Sequence, residues 1–170
     1  MVRKRASWTE FRDGCLVGIV PLTQGKYAII DVEYLETINK YNWFFHHGYA
    51  VRRTGDQMIQ MHRVINKTQD GLLTDHINQD RSDNRKANLR SCNHAQNIRN
   101  GKPRGGSSFY HGVYWNKEKK AWQVSIRNNC GKKIYLGRFA SEHAAALKYN
   151  DSALLFHGEY AKLNAVKAVI

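Results

Sequence analysis

The run Asn100-Gly101-Lys102-Pro103-Arg104-Gly105-Gly106-Ser107-Ser108 constrains the fold of this chain more than any other feature. Glycine, proline and serine at this density resist regular structure, because glycine loses most backbone freedom on ordering and proline lacks an amide donor. The cations among them suit a linker that follows a phosphate backbone. The 170 residues therefore divide into two modules, 1–98 and 108–166, joined by a basic Gly/Ser linker over 99–107. Each has enough apolar residues for a small core. No tandem repeat of useful length is visible.

The formal net charge of +13 is unevenly placed. Residues 1–80 hold ten Lys and Arg against nine Asp and Glu, residues 81–140 hold fourteen against two, and residues 141–170 balance at three each. A basic middle suits a polyanion, since each cation on a phosphate releases condensed counterions. A surface shaped only for solubility mixes both signs. The expected partner is double-stranded DNA. Cys15, Cys92 and Cys130 are far apart and include no Cys-x-x-Cys pair, so neither a zinc ribbon nor a disulfide framework is supported. Reduced thiols fit a cytosolic protein. The start lacks an apolar h-region, and residues 16–20 are too few to span a bilayer, so neither secretion nor membrane attachment is expected. Arg3-Lys4-Arg5 reads as a charged tail.

In the first module, residues 27–32 read as a strand after a Gly25-Lys26 turn. Leu35, Ile38 and Tyr41 fall at helical spacing and predict a short helix over 33–40. Residues 48–53 and 58–63 read as a hairpin around Thr54-Gly55-Asp56, and Trp43, Tyr49 and Met61 read as core.

Asp75-His76, followed by Asn88 and Asn97 within a basic stretch, is the constellation that carries chemistry. Hydrolysis of a phosphodiester needs an activated water, charge relief on the phosphoryl oxygens and help for the leaving oxygen. A hard cation supplies the last two and a neutral imidazole the first. Asp75 offers an anionic oxygen and Asn97 a carboxamide oxygen, a donor set suited to Mg²⁺, with Mn²⁺ as the alternative. His76, with an ordinary pKa of about 6.5, can accept a proton. His94 shares a helical face with Asn97 and can take its place. Neighbouring side chains on a strand point to opposite faces, so Asp75 and His76 can serve one phosphate only at a strand end. Asn88 can brace the intervening loop. Taken singly, these residues have ordinary uses: Asp-His dipeptides are common, and asparagine at loop ends usually caps or turns.

His62-Arg63, Asp75-His76-Ile77-Asn78, Asp83-Asn84-Arg85, Asn88-Leu89-Arg90 and Gln96-Asn97 resemble the HNH nuclease motif (ββα-metal, or His-Me finger) of phage and intron-encoded homing endonucleases. The likeness runs from about Pro21 to about Asn100. It implies that Asp75 and Asn97 bind one divalent ion, that His76 is the general base, and that Asn88, the middle letter of the motif, braces the loop. It also implies a ββα-metal module working in a bacterial or phage-infected cell.

In the second module, Ala121–Arg127 alternates cleanly, with Trp122, Val124 and Ile126 on one face and Ala121, Gln123, Ser125 and Arg127 on the other. Residues 112–115 and 133–139 read as its neighbours across turns at 116–120 and 128–131. Ile134 and Leu136 then face the apolar side, and Lys133 and Tyr135 face outward. Ser141 caps a helix carrying Ala145, Tyr149, Ala153 and Phe156, which ends at Gly158. The outer face would present Tyr114, Asn116, Gln123, Ser125, Arg127, Lys133 and Tyr135 to a major groove. A plain polar outer face is the competing reading. Gly112-Val113, Trp122 to Arg127, Tyr135-Leu136-Gly137-Arg138-Phe139, Ala144-Ala145, Tyr149, Gly158 and Leu163-Asn164 resemble the plant ethylene-response-factor (APETALA) type of DNA-binding domain over about residues 108–164. That resemblance implies a sheet lying in the major groove.

The sequence thus predicts an α+β protein: an N-terminal ββα-metal HNH module, and a C-terminal three-stranded antiparallel sheet packed on one helix. The expected activity is metal-dependent DNA cleavage, with site selection by the sheet. Arg81, Arg85, Arg99, Lys102, Arg104 and Lys119 are further expected DNA contacts. A monomer without an obligate protein partner is the expected form. The alternatives are a non-catalytic, sequence-specific DNA-binding protein whose nuclease module has decayed, and a structural RNA-binding protein.

Overall fold

The computed structural model describes residues 6–101 and 105–166. It is an α+β chain of several small antiparallel sheets with few helices. Two compact units emerge, residues 1–97 and 98–170.

The first unit opens with a hairpin that the expectations above do not contain. Strands β1 (Trp8–Arg12) and β2 (Cys15–Pro21) are joined through Asp13 and Gly14. Both turn residues have positive φ, 50° and 77°, as the two-residue hairpin turn requires, and Asp-Gly is the dipeptide that favours it. Strand β3 (Tyr27–Asp31) completes this sheet in the order β1-β2-β3. A 3₁₀ turn over Val32–Tyr34 leads into the short helix α1 (Leu35–Ile38), so the helix expected over 33–40 is present but interrupted.

A second sheet joins β4 (Phe44–His46), β5 (Tyr49–Thr54) and β6 (Gln57–Gln60). The strand expected to run to residue 63 stops at Gln60, where helix α2 (Met61–Asn66) begins. The reason is burial: Met61 and Ile65, one turn apart, are both sealed in the core. That core also holds Val20, Leu22, Ala28, Ile30, Ile38, Trp43, Ala50 and Leu89. Each large side chain there contributes about 1.5–3 kcal/mol. Trp43 is buried without a polar penalty because its indole N–H donates to the Ile38 carbonyl at 2.8 Å. Strands β7 (Leu73–His76) and β8 (Leu89–Cys92) form a two-stranded ladder, followed by helix α3 (His94–Asn100). Asn93 caps α3 reciprocally: its side chain accepts from the Gln96 amide and the Gln96 side chain accepts from its own.

In the second unit, β9 (Val113–Asn116), β10 (Ala121–Arg127) and β11 (Lys133–Phe139) form a sheet in the order β11-β10-β9. Helix α4 (Glu142–His157) covers one face. Ser141 caps it by accepting the Ala144 amide at 3.4 Å, and Gly158 ends it with φ of 54°. Ala145 and Ala146 have no exposed surface, which lets the helix approach Val113 and Val124 closely. Asn164 closes the unit. It accepts the His111 amide at 2.6 Å, donates to the His111 carbonyl, and pairs with Asn150 through both of that residue's amide atoms.

Strict alternation fails on β11. Ser125 is opposite Tyr135 but Val124 is opposite Gly137, so the ladder shifts by one residue at Leu136. The bulge keeps Leu136 in the core and reverses the phase of everything after it. Phe139 thereby joins the core under α4, opposite Trp122, and Arg138 turns outward, opposite Gln123.

No helix of the described residues is long and apolar enough to cross a membrane.

Candidate nucleic-acid interface

The uncovered face of the second sheet is set by register. Asn116 and Ala121 form one row, and Tyr114, Gln123 and Arg138 the next. Ser125 with Tyr135, and Arg127 with Lys133, complete it. Arg127, Lys133, Tyr135 and Arg138 are exposed, and Tyr114, Asn116 and Gln123 are half-buried. Lys133 Nζ lies 5.2 Å from the Tyr114 ring centre, and Arg127 donates to the Gly131 carbonyl at 2.9 Å. Lys133 is thus held over the sheet, and Arg127 at the β10–β11 turn. Ser125 holds an outer-face position but is only 8% exposed. Asn116 also serves the turn, accepting the Lys119 amide at 2.8 Å. Lys119 itself is exposed there.

Arg138 was missing from the predicted set, because plain alternation through Lys133, Tyr135 and Gly137 sends it inward. The signal that finds it is Gly137, since a lone glycine inside a strand pattern marks a bulge.

Several basic residues expected on DNA have protein partners. Arg85 grips Asp83 through Nε and Nη2, each at 2.8 Å, which raises its own pKa and keeps it a loop clamp. Arg99 donates to the Asn129 side chain at 2.9 Å and reaches the Asn128 carbonyl, holding the β10–β11 turn. Arg81 is exposed, stacked 4.4 Å over the Tyr49 ring. Lys102 and Arg104 lie outside the described residues.

The constellation at residues 75–97 has a different character from the one its sequence suggests. Asp75 and Arg90 are cross-strand neighbours, and Arg90 places Nε at 3.0 Å and Nη2 at 2.9 Å from one Asp75 oxygen. Both side chains are largely buried. A cation at Asp75 would compete with this guanidinium. Among the described residues, no group of three His, Cys, Asp or Glu side chains is arranged to hold a metal. Asn97 is half-buried on α3, and His94 is exposed at its start.

His76 is turned inward and only 5% exposed. Its Nε2 lies 3.3 Å from Asn84 Oδ1, and its ring meets that of His62 edge-on at 5.0 Å. Burial pushes the pKa of His76 down, against the opposing contact with Asn84. His62 falls further, to about 3, first through burial and then through the neighbouring His76 charge. The loop between β7 and β8 is pinned from both sides. Ser82 and Asn84 bond the backbone of Ile29 on β3. Asn88 donates to the Asp83 carbonyl and the Asn78 side chain, and accepts the Asn78 amide at 3.0 Å.

No protein-family model and no solved structure matches this chain. Curated proteins do. The AP2-like ethylene-responsive transcription factor TOE2 of Arabidopsis thaliana is 42% identical over 64 residues, covering 38% of this chain and 13% of that protein. APETALA2-like protein 2 from rice (Oryza sativa, subspecies indica and japonica) is 42% identical over 62 residues, 36% of this chain and 14% of the relative. Part of this chain is similar to AP2-type plant transcription factors. The chain spans about a seventh of the length of these relatives.

That finding overturns the nuclease expectation. The Arabidopsis relative is named a transcription factor and the rice relatives APETALA2-like proteins, and none is named as a hydrolase or an HNH protein. Phosphodiester cleavage, with His76 as base and Asn88 in support, is withdrawn. The phage or intron origin and the bacterial or phage-infected host go with it. The inward-facing His76 and the Asp75–Arg90 pair agree with that correction.

Proposed function

We propose that this chain is a non-catalytic, sequence-specific binder of double-stranded DNA, which it reads through the open face of its second sheet. The observation that carries the reading is that face itself. One side of a three-stranded sheet is sealed by α4, and the other presents Arg127, Lys133, Tyr135 and Arg138 in exposed, adjacent rows. A major groove admits strands, and guanidinium and carboxamide groups match its base edges. The likeness to AP2-type transcription factors supports the same use. Lys119 and Arg81 suit phosphate contacts, which position a protein without reading sequence. The first unit, with its buried histidines and clamped loop, serves as a folded companion to the reader. A monomer suffices, since one sheet fills one stretch of groove.

The test is selection from a randomised duplex library with the whole chain, followed by competition against RNA of the selected sequence. An enriched site, preferred over RNA and lost in a chain lacking residues 108–170, is the expected result. Absence of any enriched sequence, or stronger competition by RNA, refutes the proposal.

A further inference from the structure

We infer that Arg138 is a base-reading residue that, beside Gln123, selects a guanine next to an adenine; this rests on the DNA-binding reading above. The inference comes from the bulge. Without the extra residue at Leu136, Arg138 would face α4 and Phe139 would face outward. With it, Arg138 stands directly across from Gln123 on the central strand, and Gln123 in turn stands across from Tyr114. Arg138 is exposed, and among the described residues no acidic side chain pairs with it. Its neighbour Arg127 has a backbone partner, and Lys133 lies over Tyr114.

Directly opposed residues in an antiparallel pair have Cβ atoms about 4.5–5.5 Å apart, and successive bases on a strand are about 3.4 Å apart. Two long side chains at that separation can reach adjacent base pairs. Arginine matches the O6 and N7 acceptors of guanine with two donors, and glutamine matches N6 and N7 of adenine with one acceptor and one donor. Position in the sheet separates this role from phosphate contact. Arg138 belongs to the inner row with Gln123 and Tyr114, whereas Lys119 sits in the turn beyond the strand ends.

The experiment uses the full chain and the site it selects. Wild type, Arg138→Ala, Arg138→Lys and Arg127→Ala are compared on every single-base variant of that site at several salt concentrations, with circular dichroism to confirm folding. Arg138→Ala should lose about 5- to 150-fold of discrimination at one G·C position and keep its preferences elsewhere. Arg138→Lys should recover only part, having no bidentate fork. Equal weakening on all sequences, with the salt slope shallower by about one, would make Arg138 a phosphate contact and overturn the inference. Unchanged discrimination would overturn it too. If wild type shows preference that Arg127→Ala reduces and Arg138→Ala does not, only Arg138 is mistaken. If wild type prefers no sequence, the sheet-reading proposal itself fails.

Discussion

Replacing Gly112 by alanine should unfold the second unit selectively. Gly112 precedes β9 with φ of 70°, a region where a Cβ costs about 1–2 kcal/mol. A Cβ built there falls closer than 3.0 Å to both the Tyr149 ring and the Ser125 carbonyl oxygen. Neither can yield easily. Tyr149 projects from α4 onto the core and stacks on His111, and Ser125 is central-strand backbone whose amide bonds the Gly112 carbonyl at 2.9 Å. Overpacking of this kind costs about 1–3 kcal/mol, so the total is about 2–5 kcal/mol. Gly131 is the control: its φ is 77°, but a Cβ there meets nothing within 4 Å, so alanine should cost only the backbone strain. Native-state hydrogen exchange at the Val124 and Ile126 amides reads the stability of this unit without confusion from the other. If Gly112→Ala costs no more than Gly131→Ala, the close approach of β9 to α4 is wrong.

Three further outcomes follow from the geometry. Arg90→Leu removes the guanidinium that faces the buried Asp75 carboxylate and should cost about 3–5 kcal/mol in urea unfolding, whereas Asp75→Leu combined with Arg90→Leu should cost less than either alone; additive losses would refute the pairing. His62 is held neutral by burial, with a folded pKa of about 3 against about 6.5 when unfolded, so the unfolded chain binds more protons below pH 6.5. Stability is therefore present in full above pH 6.5 and lost as pH falls toward 3, by about 2 kcal/mol at pH 5; thermal melts of His62→Gln should show a flatter acid limb, and an identical limb would contradict its burial. Asn164→Ala removes the side-chain acceptor of the His111 amide and the donor to the His111 carbonyl while leaving the backbone pair with Asn150, and should cost about 1–3 kcal/mol by urea unfolding; a loss below that range would mean that water replaces both His111 contacts.

The parts of this fold that are legible in the sequence are those where one local rule governs. Ala121–Arg127 alternates because one face packs on α4 and the other is open, and Ser141 and Gly158 bound a helix whose buried alanines fall on one side. Legibility ends where tertiary packing overrides the local pattern. Residues 58–63 alternate well enough for a strand, yet Met61 and Ile65 reach the core only if the chain turns helical at Met61. Arg138 escapes notice because a single bulge inverts the phase that alternation assigns. The β1–β2 hairpin was within reach through its Asp13-Gly14 turn. The cluster at residues 75–97 shows a different limit. Residue types compatible with hydrolysis are also compatible with a cross-strand ion pair and an interior histidine, and only burial and partner geometry separate the two.

The extra residue at Leu136 couples two properties that usually trade against each other. Excising one residue there would swap the phenyl group and the guanidinium between sides, ruining hydrophobic closure and, on the proposed reading, target choice in a single step. Substituting residue 138 in place, however, touches neither the helix nor its underlying layer. The backbone kink is therefore under strict constraint while the side chain it displays is at liberty to change, so on the proposed DNA-reading role a lineage carrying this domain can retune its preferred site at that position with little loss of stability.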